Sequence, residues 1–145
     1  MAEWVDTFRG AILAAEYDLE AHMNSQTYVS RFDQASWFLL STVGITPAVM
    51  REQNRRVAIV RQGFQYLREL RGGDLVEIKS GFVAVGKKYL RFHHRMFNAV
   101  SGEMVATSDC TALLASLKTS KTVALPAALR KAAEGHLVTF NVADD

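Results

Sequence analysis

The sequence predicts an α+β fold in which an antiparallel sheet of five strands wraps around one long central helix. Three observations carry this. From Ser25 to about Thr42, Tyr28, Phe32, Ala35 and Leu39 recur at spacings of three and four, a helical period. After Arg55 the chain changes to runs that alternate with period two, joined by the tight-turn signals "GGD", "GKK" and "SGE". One apolar helix and one apolar sheet face each need a partner, and burial against each other satisfies both.

The elements follow in order. "FRGAILA", from Phe8, reads as a short first strand. Asn24 or Ser25 is the N-cap of the helix. Trp37, Phe38 and Leu40 make its second half apolar almost all round, which predicts a helix surrounded by protein. Gly44 closes it, and Pro47 starts a short second helix through about Gln53. "RVAIVRQGFQYLREL" is a long strand with a bulge expected at Gly63. "LVEIKSGFVAVG" places Val76, Ile78, Phe82 and Ala84 on one face. In "YLRFHHRMFN", Leu90, Phe92, His94 and Met96 oppose Tyr89, Arg91, His93, Arg95 and Phe97. A last strand runs from Met104 to about Leu117, and Pro126 to Ala133 forms a short terminal helix. Residues 1–145 read as a single domain, with the tail from about 134 peripheral.

Composition narrows the function. The chain has 145 residues, long enough for one sizeable core, and a net charge of +2 with scattered basic residues, which argues against nucleic acid. The single cysteine, Cys110, excludes an internal disulfide framework and suits a reducing compartment. "MAEWVDTFRG" lacks the apolar core of a signal peptide, and no apolar run approaches the ~20 residues of a membrane span. A cytoplasmic protein is expected. His93 and His94 are adjacent on a strand, point to opposite faces and cannot share a metal, so no metal site is expected. Asp109 reads as an exposed outward acid, Cys110 as a buried inert thiol, and Glu69 and Asp74 as turn residues.

The stretch "DLEAHMNSQTY" stands directly before and into the helix. Its Asp18, His22, Asn24 and Tyr28 match the first-loop pattern of the hotdog-fold acyl-CoA thioesterases of the 4-hydroxybenzoyl-CoA thioesterase type, which the chain resembles. Plant acyl-carrier-protein thioesterases look similar over the same segment. Tyr66, Glu69, Gly73 and Asp74 in "YLRELRGGDLVEI" resemble that family's strand entry. "SLKTSKTVALPAALRKA" resembles its basic stretch followed by proline and a short helix. The likeness runs from about Phe8 to Ala133. Ala21 stands where a glycine is common before the histidine, Ser25 replaces the second of two asparagines, and Glu20 replaces an asparagine of the plant enzymes.

The resemblance implies hydrolysis of the thioester of a small-to-medium acyl-CoA, with Asp18 as nucleophile or general base. His22 would orient the thioester or the water, and Asn24 would position the loop or donate a hydrogen bond. Spacing alone leaves Asp18 equally a loop acid capping a turn, and Asn24 equally a plain N-cap. A buried helix start supplies N–H groups and a dipole end for a developing oxyanion, so Ser25 and Tyr28 join the candidate substrate site. Coenzyme A phosphates need cations. Lys87, Lys88 and Arg91 at one hairpin, or Lys121 with Lys118, Arg130 and Lys131, are the candidates. No cofactor beyond the substrate's own coenzyme A is implied. The open sheet edges and the family likeness together predict a homodimer or a tetramer. A non-catalytic acyl-CoA-binding module and a hotdog hydratase or dehydratase remain the alternative readings.

Overall fold

A computed structural model describes residues 2–13 and 25–140. Asp18, His22 and Asn24 lie outside the described residues. The elements are β1 (Val5–Ala11), α1 (Ser25–Ser41), α2 (Pro47–Glu52), β2 (Arg55–Tyr66), β3 (Leu75–Val85), β4 (Tyr89–Asn98), β5 (Met104–Ser116), β6 (Thr122–Val123) and α3 (Ala127–Gly135). The strands form one antiparallel sheet in the order β1-β3-β4-β5-β2. Five strands were expected. The sixth, β6, is a two-residue strand that pairs with β5 beyond the start of β4. β1 begins at Val5 rather than Phe8.

Glycine makes two turns possible. Gly102, in the β4–β5 hairpin, sits at φ +79°, and Gly73, at φ +86°, turns the chain in a crossover rather than a hairpin, since β2 pairs with β5 and not with β3. Asp74 completes the turn at Gly73 by accepting a 2.9 Å hydrogen bond from the Arg71 amide.

Helix α1 lies on one face of the sheet and buries the predicted stripe of Tyr28, Phe32, Ala35 and Leu39. The expectation that it is enclosed on all sides fails within the single chain. Phe38 is 60% exposed, and Val29 is also exposed. The apolar core divides along the helix. Tyr28, Phe32 and Ala35 join Val76, Ile78, Met96 and Ala106 at one end, while Leu39 and Leu40 join Phe82, Leu90, Phe92 and Leu114 at the other. α1 therefore runs lengthwise along the sheet, its start near the Tyr66 end of β2 and its finish near the Arg55 end.

Two bulges reset the alternation. The extra residue in β2 is Val60, not Gly63, which pairs in register with Asp109. The extra residue in β3 is Val83, so Phe82 stays opposite Phe92 in the core while Ala84 moves opposite Arg91 on the outer face. The expected inward set of Val76, Ile78 and Phe82 holds, and Ala84 leaves it for this reason.

Residues 137–140, part of the tail expected to be peripheral, pack on the sheet. Val138 is buried, its amide donates a 3.0 Å hydrogen bond to the Phe82 carbonyl, and Leu137 bridges to Phe82. Gly81 admits this contact, since a Cβ there would meet a Val138 methyl at 2.5 Å. Farther along, Phe140 and Trp4 cover His93, which is buried on the sheet face that was expected to be open.

Candidate active site

The start of α1 meets an aromatic wall. Tyr28 is buried with its ring 5.0 Å from that of Tyr66 on β2, and Tyr66 stacks with Phe64 at 6.3 Å. Phe64 lies 6.0 Å from Phe32, one turn farther along the helix. Tyr66 is half exposed, so this wall opens to solvent beside exposed Ser25. Burial pushes the Tyr28 hydroxyl above its ordinary pKa. The Tyr66 hydroxyl and the carboxylates of Glu69 and Asp74 push the same way, against a hydrogen bond with the Leu70 backbone. The surroundings of Tyr28 are thus apolar and aromatic, with Glu69 and Asp74 close enough to act on its hydroxyl. No acidic residue occupies the first turn of α1, where helix N–H groups have no partner within the helix.

The cations are gathered elsewhere. Lys87 and Lys88 occupy the β3–β4 turn, and the Lys87 carbonyl accepts a 2.9 Å hydrogen bond from Leu125. Lys121 is tied to the same end through its carbonyl, which accepts from Ser116 at 2.9 Å. Lys87 and Lys88 from one basic group and Lys121 from the other thus come together at one end of the sheet. From Met96, beside Tyr28, β4 runs about 20 Å before it reaches Leu90 at that end. Within one chain, Lys87, Lys88 and Lys121 do not meet the helix start. Arg91 stands apart from both, on the outer face opposite Thr111.

Between the two core halves lies a buried polar chain that the sequence reading missed. His94 is fully buried, with Nε2 2.8 Å from Ser36 Oγ and Nδ1 hydrogen-bonded to Ser80 Oγ, which in turn is 2.7 Å from Thr7 Oγ1. The chain is tied to the backbone at both ends, with Ser36 donating to the Phe32 carbonyl at 3.0 Å and Thr7 to the Ile78 carbonyl at 3.2 Å. Burial, with a smaller push from His93, lowers the His94 pKa to about 3. Small hydroxyl residues on the inward face of two strands and on the helix were the available signal.

His93 and His94 point to opposite faces, as expected. Asp109 is exposed but not idle, since its carboxylate is 2.7 Å from His93 Nδ1. Cys110 is buried, and burial raises its thiol pKa. Among the described residues, no group of three His, Cys, Asp or Glu side chains comes together to hold a metal. No helix among them is long and apolar enough to cross a membrane.

The sheet order and the helix laid along it are shared with solved structures. A Staphylococcus aureus protein determined in complex with CoA superimposes with a TM-score of 0.88 at 14% identity, over 97% of this chain and 90% of that one. A 1,4-dihydroxy-2-naphthoyl-CoA thioesterase from Synechocystis gives a TM-score of 0.75 at 14% identity, over 87% and 93%. These likenesses define a class by fold alone. The sequence goes further, because the family model of the thioesterase-like superfamily matches residues 12–133. The chain belongs to that superfamily. The L-carnitine dehydrogenase/betainyl-CoA thioesterase of Agrobacterium fabrum is 30% identical over 115 residues, 79% of this chain. This chain spans only 23% of the length of that relative.

Proposed function

We infer that the protein hydrolyses the thioester of an acyl-CoA. The observation that carries this is the superfamily match over residues 12–133, which includes Asp18, His22 and Asn24 and runs directly into α1. In this reading Asp18 attacks the carbonyl or activates water, and the first-turn N–H groups of α1 stabilise the oxyanion. His22 and Asn24 orient the thioester and the loop. Replacing Asp18 with Asn removes the charge almost isosterically. Free-thiol release should fall by ~10²–10⁴-fold, the usual cost of losing a general base. A variant within about tenfold of the parent would move the chemistry elsewhere. Tight acyl-CoA binding without any thiol release would instead favour a non-catalytic binding module.

The assembly belongs to the same reading. The edge strand β2 is twelve residues long and exposes Ile59, Val60 and Tyr66. Pairing it antiparallel with β2 of a second copy brings the Arg55 end of one protomer to the Tyr66 end of the other. The cations at Lys87, Lys88 and Lys121 then approach the partner's helix start, which supplies the nucleotide anchor that one chain lacks. The hotdog arrangement, with α1 as its central helix and the exposed Phe38 face covered by protein, follows from that dimer. The protein is expected to be cytoplasmic.

The acyl group is best read as a compact cation. A face of aromatic rings at Tyr28, Tyr66 and Phe64 with Glu69 and Asp74 nearby suits a quaternary ammonium, through cation–π and Coulombic attraction. The betainyl-CoA activity named for the Agrobacterium fabrum relative accords with this.

A further inference from the structure

On the sheet face opposite α1, a groove of about 840 Å³ is framed by Arg61, Arg91, Thr111, Gly63 and Phe140. Its central feature is one row of the sheet. Arg61 and Arg91 stand in register on either side of Thr111, on adjacent strands. Both arginines are exposed, and among the described residues neither meets a carboxylate at ion-pair distance. Two like charges flanking one residue repel each other unless an anion lies between them.

The backbone is shaped for this row. The two bulged residues, Val60 in β2 and Val83 in β3, fall on either side of it, and both line the groove. Without the Val60 bulge, alternation would turn Arg61 toward the helix side, where Ile59 and its partner Ala112 lie. Gly63, opposite Asp109, has a normal backbone conformation and nothing within 4 Å of where a Cβ would stand. It therefore answers no turn or packing need of the fold and leaves the groove floor open. Phe140 supplies an aromatic wall, and the Asp109 carboxylate an acceptor at the far end from the anion.

From this juxtaposition we propose that the groove is a second binding site for a phosphorylated aromatic small molecule of nucleotide type. The phosphates sit between Arg61 and Arg91, and the ring system lies against Phe140. Asp109 accepts from a hydroxyl or amino group of the ligand and excludes its phosphates from that end. The site is on the opposite face from Ser25 and Tyr28, and it stands whether or not the protein hydrolyses thioesters.

ADP serves as the probe, titrated calorimetrically into the full chain. The parent should bind it, and Arg61→Gln with Arg91→Gln should weaken binding about tenfold or more. Gly63→Leu keeps both charges and has room for its Cβ, so it should fold normally and block ADP by filling the groove. Two sources of the natural ligand separate in one further comparison. If the groove takes the nucleotide end of the substrate's own coenzyme A, CoA competes with ADP. The double variant then raises KM for acyl-CoA but not for an N-acetylcysteamine thioester. If it takes a free nucleotide, CoA does not compete and both KM values stay unchanged. Absence of ADP binding to the parent overturns the site. So does binding lost with the arginines but kept in Gly63→Leu, which places the anion outside the groove. A smaller particle mass for Gly63→Leu, without any ADP binding to the parent, would make the face a contact between copies instead.

Discussion

His94 Nε2 and the Ser36 hydroxyl stand 2.8 Å apart in a site closed to solvent, joining β4 to α1 between the two halves of the core. The histidine is held neutral there, its pKa lowered to about 3 from an ordinary 6.5 mainly by burial. In the unfolded chain it protonates near 6.5, so the folded state gives up stability as pH drops below that value and continues to do so toward about pH 3. The linkage slope for one proton is ~1.4 kcal/mol per pH unit. Above about pH 7 this group contributes no pH dependence. Denaturant midpoints measured from pH 7.5 to 4.5 should fall in the parent and fall less steeply in His94→Leu. Parallel curves would show that His94 is not the group responsible.

Removing the other partner tests the same bond differently. Ser36→Ala takes the hydrogen-bond partner from the buried His94 Nε2, at a cost of ~1–3 kcal/mol. The melting temperature should drop at every pH, and an unchanged value would mean that the ring finds another partner.

Much of the architecture was legible because its signals are local. The helical period from Tyr28 to Leu39, the alternation in "YLRFHHRMFN" and the glycine turns each depend on neighbours in sequence. α1, β4 and the β3–β4 and β4–β5 hairpins appear where they were expected, whereas β2 crosses the sheet to pair with β5 instead of forming a hairpin with β3. What failed depends on partners distant in the chain. The bulge at Val60 answers to the register against β5, and burial of His93 answers to Trp4 and Phe140, near opposite ends of the sequence. Phe38 was expected inside because it is apolar, but its position on the helix turns it outward and only a second protein surface could cover it. The basic residues were identified by type. Their distance from the helix start depends on the sheet register, which no spacing reveals.

The seating of the tail can be tested at one glycine. Gly81→Ala places a methyl 2.5 Å from a Val138 side chain that is itself buried, so the tail must shift or lift. A loss of ~1–3 kcal/mol is expected, as for other overpacked sites. Gly86→Ala also meets a side chain, the Tyr89 ring, but Tyr89 is 39% exposed and can swing aside. Thermal melts of the two variants should therefore differ, with Gly81→Ala clearly the lower. Equal melting temperatures would show that residues 137–140 contribute little.

Substrate charge is the next discriminator. Betainyl-CoA and 3,3-dimethylbutyryl-CoA have acyl groups of nearly the same shape, one with a quaternary nitrogen and the other with carbon. If Tyr28, Tyr66 and Phe64 form a cation-binding face, kcat/KM should favour betainyl-CoA by roughly 2–30-fold, the range of one cation–π contact worth ~0.5–2 kcal/mol. Tyr66→Leu should erase that preference while keeping turnover of the neutral ester. A parent that prefers the neutral ester would sink the cationic reading.

The last prediction joins assembly to activity. Among the described residues, strand β2 leaves one edge unpaired over twelve residues, and an edge of that length with exposed Ile59 and Val60 invites a second strand. Antiparallel pairing about a two-fold axis is the arrangement that carries the basic end of each protomer to the partner's helix start. Activity should therefore require the dimer, since the lone chain separates Lys87, Lys88 and Lys121 from Ser25 by about 20 Å of sheet. Ile59→Lys places a charge on that edge and should weaken pairing without touching Asp18, His22 or Asn24. Light scattering on the parent at micromolar concentration should give at least twice the 16.1 kDa of one chain, with a tetramer as two such dimers also consistent. Ile59→Lys should shift the mass toward one chain and raise KM for acyl-CoA, and higher protein concentration should restore both. A parent that is monomeric and fully active would overturn the shared site, because every contact with the substrate would then have to come from a single chain.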